Sequence, residues 1–91
     1  ITGDFNSGEG SRPYQSLMGE NIIDTFRMVH PNRTEEESTF TAWKGRLIGN
    51  RIDWVLCSAN FQILSATINR SHDKGRYPSD HYPVTATLNY Q

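Results

Sequence analysis

Residues 51–57, Arg51-Ile52-Asp53-Trp54-Val55-Leu56-Cys57, place Ile52, Trp54 and Leu56 on one side of an extended chain and Asp53, Val55 and Cys57 on the other. Both sides are largely apolar, so the run predicts an inner strand covered on two faces. Asp53 breaks that pattern. A carboxylate inside such a strand needs a partner, because an unpaired buried charge costs several kcal/mol. Two kinds of partner are open: a histidine, whose tautomer Asp53 would fix, or a structural ion pair with Arg51 or Arg70.

Downstream, Phe61 to Ile68 is a second β-prone run, separated from the first by Ser58-Ala59-Asn60. The short connection predicts an antiparallel hairpin between the two. Val84, Ala86, Leu88 and Tyr90 alternate with Thr85, Thr87 and Asn89 in a last strand, and Pro83 stands at its entry, where a missing N–H is tolerated. Ser71 to Pro78 is a loop.

Upstream, Ile1 to Asp4 reads as a strand end and Ser7 to Ser11 as a Gly/Ser-rich loop. Ser11 is a candidate helix N-cap, Pro13 suits the first turn, and Tyr14, Leu17 and Met18 give an apolar side before Gly19. Asp24 is the candidate cap of a second helix. Phe26, Met28 and Val29 are expected to face the core, with Pro31 marking the end. Asn32 to Ser38, with its three consecutive glutamates, is a loop; Thr39-Phe40-Thr41 is a short β-prone piece; Trp43 to Asn50 is a long turn. A few helical turns followed by mainly antiparallel strands make an α+β pattern.

The 91 residues carry a formal charge of −1 and 35% hydrophobic residues, which excludes a disordered polymer and the global basic field of a dedicated DNA-binding module. Phosphate recognition would have to be local. No apolar run approaches the roughly 20 residues of a membrane helix. The lone Cys57 rules out a thiolate metal cluster and reads as a buried structural thiol. His30, at a helix end, and His72, in a polar loop, read as structural or exposed. There is no Gly-rich phosphate loop and no G-x-S-x-G nucleophile turn.

Three polar clusters are left for chemistry. Asp4 and Asn6, two apart on an extended segment, can point the same way and hold a cation, a water or a phosphate oxygen. Asp80 and His81 are adjacent before the last strand, so Asp80 can reach a metal while His81 reaches a phosphate or the attacking water. Asp53 lies between them in the chain and is suited to orient His81. Trp43 can stack on a base, or belong to the core, and Arg46 or Arg51 can pair with a phosphate.

Taken in order, TGDFN, RIDWVLCS and YPSDHYPV resemble the C-terminal signature of the endonuclease/exonuclease/phosphatase family, the DNase I-like superfamily. The segment STFTAWKG is similar to that family's aromatic stretch near the substrate. The resemblance implies the second half of a four-layer α/β sandwich, with residues 1–91 as the C-terminal part of one domain whose N-terminal half lies before Ile1. The start in a strand-like Ile1-Thr2-Gly3-Asp4 carries the same expectation of a truncated or processed product.

The resemblance further implies a divalent-metal-dependent phosphoesterase, with magnesium, or manganese or calcium, as cofactor. Asp4 would activate or hold the attacking water and share in metal binding; Asn6 would contact phosphate and water; Asp80 would bind metal. His81, supported by Asp53, would hydrogen-bond the scissile phosphate. Nuclease-type phosphodiester hydrolysis is the first expectation, with Asn6, Trp43 and Arg51 on the substrate. The alternatives are a phosphomonoesterase, a phospholipid or sugar-phosphate hydrolase, or a non-catalytic interaction module retaining the fold. The family's remaining metal-binding Glu, an Asn and a further His or Tyr would come from the other half, so residues 1–91 by themselves should be inactive. They should pair with that half or self-associate.

Overall fold

The computed structural model describes residues 1–19 and 21–90. In chain order the elements are β1 (Thr2–Asp4), α1 (Arg12–Leu17), β2 (Ile22–Asp24), α2 (Thr25–Val29), β3 (Asp53–Ser58), β4 (Phe61–Ile68) and β5 (Val84–Tyr90). Mixed short helices and antiparallel strands make this an α+β structure, as the sequence pattern implies.

Two sheets form. β3 is the centre of a three-stranded sheet in the order β1-β3-β2, and β4 pairs with β5 in a second, two-stranded sheet. The hairpin expected between β3 and β4 is therefore corrected. β1 takes one edge of β3, in the register Thr2↔Val55 to Asp4↔Asp53, and β2 takes the other, in the register Ile22↔Ser58 to Asp24↔Leu56. With both edges occupied, the Ser58–Asn60 turn carries the chain out of that sheet, and the Ala59 N–H donates to the Asn21 carbonyl at 2.9 Å. β4 then finds β5, from Phe61↔Tyr90 to Ile68↔Val84, with a bulge between Ile63 and Ser65.

The inner-strand reading of residues 51–57 holds for β3. Trp54 is fully buried, stacked on Phe5 at 4.4 Å and met edge-on by Tyr14 at 5.1 Å; its indole N–H donates to the Arg51 carbonyl at 2.9 Å. Leu56 and Cys57 are buried beside it. Burial pushes the Cys57 thiol above its ordinary pKa, which suits a structural residue.

Both helix caps are where the sequence places them. Ser11 Oγ accepts from the Tyr14 N–H at 3.5 Å, and Asp24 Oδ1 accepts from the Arg27 N–H at 3.4 Å. Met28 departs from expectation: it is 58% exposed, and Val29 is only partly covered. A five-residue helix presents little more than one face, and α2 packs against β3 and β4. No helix among the described residues is long and apolar enough to cross a membrane.

Candidate active site

The site starts from the Asp4↔Asp53 pairing, which sets two carboxylates opposite each other at the end of the β1–β3 ladder. Like charges placed so repel. The loop before β5 brings in the compensating group. Its position is fixed by backbone bonds on both sides of His81: the Thr41 N–H donates to the Asp80 carbonyl at 2.6 Å and the Tyr82 N–H to the Thr39 carbonyl at 2.8 Å. The buried Thr41 hydroxyl adds a bond to the Ser79 carbonyl at 2.8 Å.

Held this way, the His81 ring lies between the two carboxylates. Nδ1 is 2.8 Å from Asp53 Oδ2 and Nε2 is 3.6 Å from Asp4 Oδ2. Of the two partners left open for Asp53, the structure pairs it with the histidine. The Asp53 hydrogen bond raises the His81 pKa above the ordinary imidazole value, against a smaller opposing effect of burial, and the charges of Asp53, Asp4 and Asp80 act in the same direction. Phe40 meets the His81 ring edge-on at 5.5 Å and fixes its plane.

Asp53 is itself supported. Thr39 Oγ1 accepts from the backbone N–H groups of Ile52 at 3.0 Å and Asp53 at 3.2 Å. Neither Thr39 nor Phe40 was singled out as a site residue in the sequence. Their signal was the β-prone triplet Thr39-Phe40-Thr41, which bridges to His81 through Phe40.

Asn6 departs from the extended geometry expected of it. Its φ is 49°, and its N–H donates back to Asp4 Oδ1 at 2.9 Å, so the chain turns at this residue. Asn6 nevertheless lines, with His81, Phe40, Arg46 and Ile52, an open cleft of about 360 Å³. Asp80 is half-buried and adjacent to His81 in sequence, but among the described residues the group whose ligand atoms converge within 4.8 Å is Asp4, Asp53 and His81.

Trp43 is 60% exposed on a turn in which both Ala42 and Trp43 have left-handed backbones, so it is not a core residue. Arg51 requires correction as a substrate contact. It is only 2% exposed and is spent inside the protein: both terminal nitrogens pair with the buried Asp24, and Glu9 lies 3.2 Å from Nη2. The Tyr14 hydroxyl completes the Asp24 shell with a 2.7 Å bond. His30 and His72 are structural: His30 Nε2 bonds the Ala66 carbonyl, and His72 Nδ1 accepts from the Gly75 N–H.

A magnesium ion favours carboxylate and water oxygens over imidazole and keeps several of its own waters. The exposed Asp4 carboxylate fits that preference. His81, biased toward its protonated form and bonded to Asp53, does not fit as a ligand, and suits a hydrogen-bond donor to an anion instead.

No family model and no curated protein matches the sequence. A solved structure, that of a functionally unknown conserved protein from Enterococcus faecalis V583, superposes with a TM-score of 0.71 at 25% identity, over 99% of this chain and 35% of that one. The chain thus shares its fold with part of a longer protein and spans about a third of that protein's length.

Proposed function

We propose that this chain contributes half of the active site of a divalent-metal-dependent phosphoesterase in a DNase I-like four-layer sandwich, acting on phosphodiesters of the nuclease type. The observation that carries the reading is the His81 ring, bonded to Asp53 and set 3.6 Å from Asp4 at the edge of a cleft that also presents Asn6. The ordered resemblance of the TGDFN, RIDWVLCS and YPSDHYPV segments supports it.

In this reading Asp53 holds the proton on Nδ1 and favours the imidazolium, leaving Nε2–H to donate to a phosphate oxygen as negative charge builds there. Asp4 accepts a proton from the attacking water. Asn6 offers an amide that orients the water or a phosphate oxygen. Asp4 would hold the metal, which when bound supplies Lewis acidity to the phosphoryl group, and the resemblance adds Asp80, which lies outside the converging Asp4, Asp53 and His81 group. The resemblance assigns the remaining ligands to a half of the sandwich outside residues 1–91. The exposed Trp43 favours nucleic acid over a small phosphomonoester, because a base offers it a stacking face.

The test is hydrolysis of a generic phosphodiester with magnesium, by residues 1–91 alone and by a longer polypeptide that includes the preceding half. Metal-dependent turnover by the longer form alone is expected. Turnover that survives chelation would overturn the metal dependence, and robust turnover by residues 1–91 would overturn the half-site.

A further inference from the structure

Arg46 differs from Arg27, Arg51 and Arg70 in having the end of its guanidinium unspent. Arg27 and Arg51 are committed to Glu9, Glu37 and Asp24, and Arg70 to the carbonyls of Ser38 and Glu36. Arg46 makes one side-chain bond, from Nε to the Ile48 carbonyl at 2.8 Å. Among the described residues no carboxylate pairs with it, and Nη1 and Nη2 keep their donors. The residue is exposed, so those donors are open to a ligand.

Arg46 also lines the cleft that holds His81. Its backbone is fixed from two sides: its N–H donates to the Thr41 carbonyl at 3.0 Å, and its carbonyl accepts from the Tyr82 hydroxyl at 2.9 Å. The guanidinium sits beside Gly49, another lining residue, where a Cβ would fall 3.7 Å from Nη2 and 3.3 Å from the Ser38 hydroxyl. Neither Asp4 nor Asp53, the carboxylates that bracket His81, pairs with it, so the fork is not drawn to the His81 end.

The charge of this wall has one sign. No carboxylate lines the cleft among the described residues, and from Thr39 to Ile52 the sequence has Lys44, Arg46 and Arg51 but no Asp or Glu. Such a wall attracts an anion. The cleft, at about 360 Å³, falls within the roughly 300–1,000 Å³ of ligand pockets and is larger than one phosphoryl group needs. An arginine presents Nη1 and Nη2 as a planar fork that matches two oxygens of one phosphate.

We propose that Arg46 is the specificity residue of this cleft: its Nη1–Nη2 fork takes the phosphate next to the one that His81 engages, so the preferred substrate is an oligonucleotide with at least two phosphodiesters. The proposal rests on the phosphoesterase reading for the role of His81. It sets a nucleic-acid chain apart from a lone phosphate ester, which would fill the His81 end and leave Arg46 unused.

The test is equilibrium binding of two thymidine oligomers, TpT with one phosphodiester and TpTpT with two, to the longer polypeptide that includes the preceding half. A chelator is present so that neither is hydrolysed. Arg46→Gln, whose amide can still donate to the Ile48 carbonyl, should weaken TpTpT by about tenfold and TpT far less. The slope of log affinity against log salt for TpTpT should fall by about 0.7, one phosphate contact on a single strand. Arg46→Lys, which keeps the charge but not the fork, should give the same ranking with a smaller loss, and stands in should Arg46→Gln not fold. Equal weakening of the two oligomers, an unchanged TpTpT affinity or an unchanged salt slope overturns the second-phosphate subsite. Magnesium-dependent turnover of bis(p-nitrophenyl) phosphate by the parent reads the catalytic proposal separately. Turnover with equal weakening keeps the phosphoesterase and removes the subsite; selective weakening without turnover keeps the subsite and removes the phosphoesterase.

Discussion

Asp4 and Asp53 face each other across the β1–β3 ladder, and the His81 ring closes on both, nearer Asp53 than Asp4. That arrangement makes the proton on His81 part of the fold. Its folded-state pKa is raised, so its contribution to stability is complete below the ordinary imidazole value near 6.5 and is lost as pH rises through the folded value. Asp53→Asn removes the largest cause of the shift. The His81 ring should then titrate lower, toward the ordinary value, while Asp4→Asn should lower it less, being farther away. A ring-proton titration of the three proteins checks this, and equal shifts in the two variants would refute the ranking.

Arg51 should govern stability more than any exposed arginine. Arg51→Met strips Asp24, 4% exposed, of its guanidinium partner and leaves a buried carboxylate held only by the Tyr14 hydroxyl and the α2 cap. The expected loss is about 3–5 kcal/mol in urea unfolding. Arg51→Met combined with Asp24→Asn should recover part of it, because the second change removes the stranded charge. A double variant no more stable than the single one would mean that packing, and not charge, sets the cost.

The acid side of the stability profile follows from the same network. Arg27 hydrogen bonds and the Arg51 charge hold the Glu9 carboxyl down to about 2, against an opposing effect of burial. A depressed folded pKa stabilises above the unfolded value near 4.5, and that stabilisation is lost as pH falls from there to about 2. Glu37, bonded to the same Arg27, is shifted in the same direction. Unfolding followed from pH 6 to pH 2 should show a steep loss below 4.5. Glu9→Gln should be less stable at pH 6 and flatter across that window.

Much of this was legible in the sequence, and what was not has a common cause. Ser11 and Asp24 announce themselves as caps because capping is local, and Asp53 announces a need for a partner because an acid inside an apolar run is anomalous. The pairing of β3 was not legible. A three-residue connection suits a hairpin, and nothing nearby tells that strands from residues 2–4 and 22–24 have filled both edges. Arg51 failed for the same reason: its partner lies 27 residues away, and Asp24 looked like a cap and nothing more. Asn6 is a residue type that forms turns as readily as sites, and the sequence does not tell which, since the Asp4 side chain that bends the chain here is equally at home on an extended segment.

Trp43 separates binding from folding. Its ring is mostly in solvent, so Trp43→Ala should change unfolding stability by no more than about 0.5 kcal/mol. If the ring stacks on a base, the same change should weaken binding of single-stranded DNA or RNA by about 1–3 kcal/mol, roughly five- to 150-fold, in a longer polypeptide that carries the complete cleft. Unchanged affinity with unchanged stability would remove Trp43 from the substrate surface and turn attention to the phospholipid and sugar-phosphate alternatives.

Gly45 tests whether the turn that displays Trp43 is rigid. Its φ of 73° is a left-handed backbone, and a Cβ placed there would fall 2.2 Å from the Tyr77 hydroxyl, so Tyr77 must move if any side chain is added. Gly10 has a similar φ of 85° with nothing within 4 Å. The pair isolates the contact from the backbone strain they share. Gly10→Ala should cost only that strain, about 1–2 kcal/mol. Gly45→Ala should cost that and more, because Tyr77 packs edge-on against Tyr82, whose hydroxyl in turn donates to the Arg46 carbonyl at 2.9 Å. Tyr82 is the residue after His81, so displacement of Tyr77 should also reach the site, seen as a shift of the His81 ring resonances that Gly10→Ala does not produce. Equal losses from the two substitutions, with the His81 ring unmoved in both, would show that the loop yields locally and that the Trp43 turn is not braced against the Asp53–His81 pair.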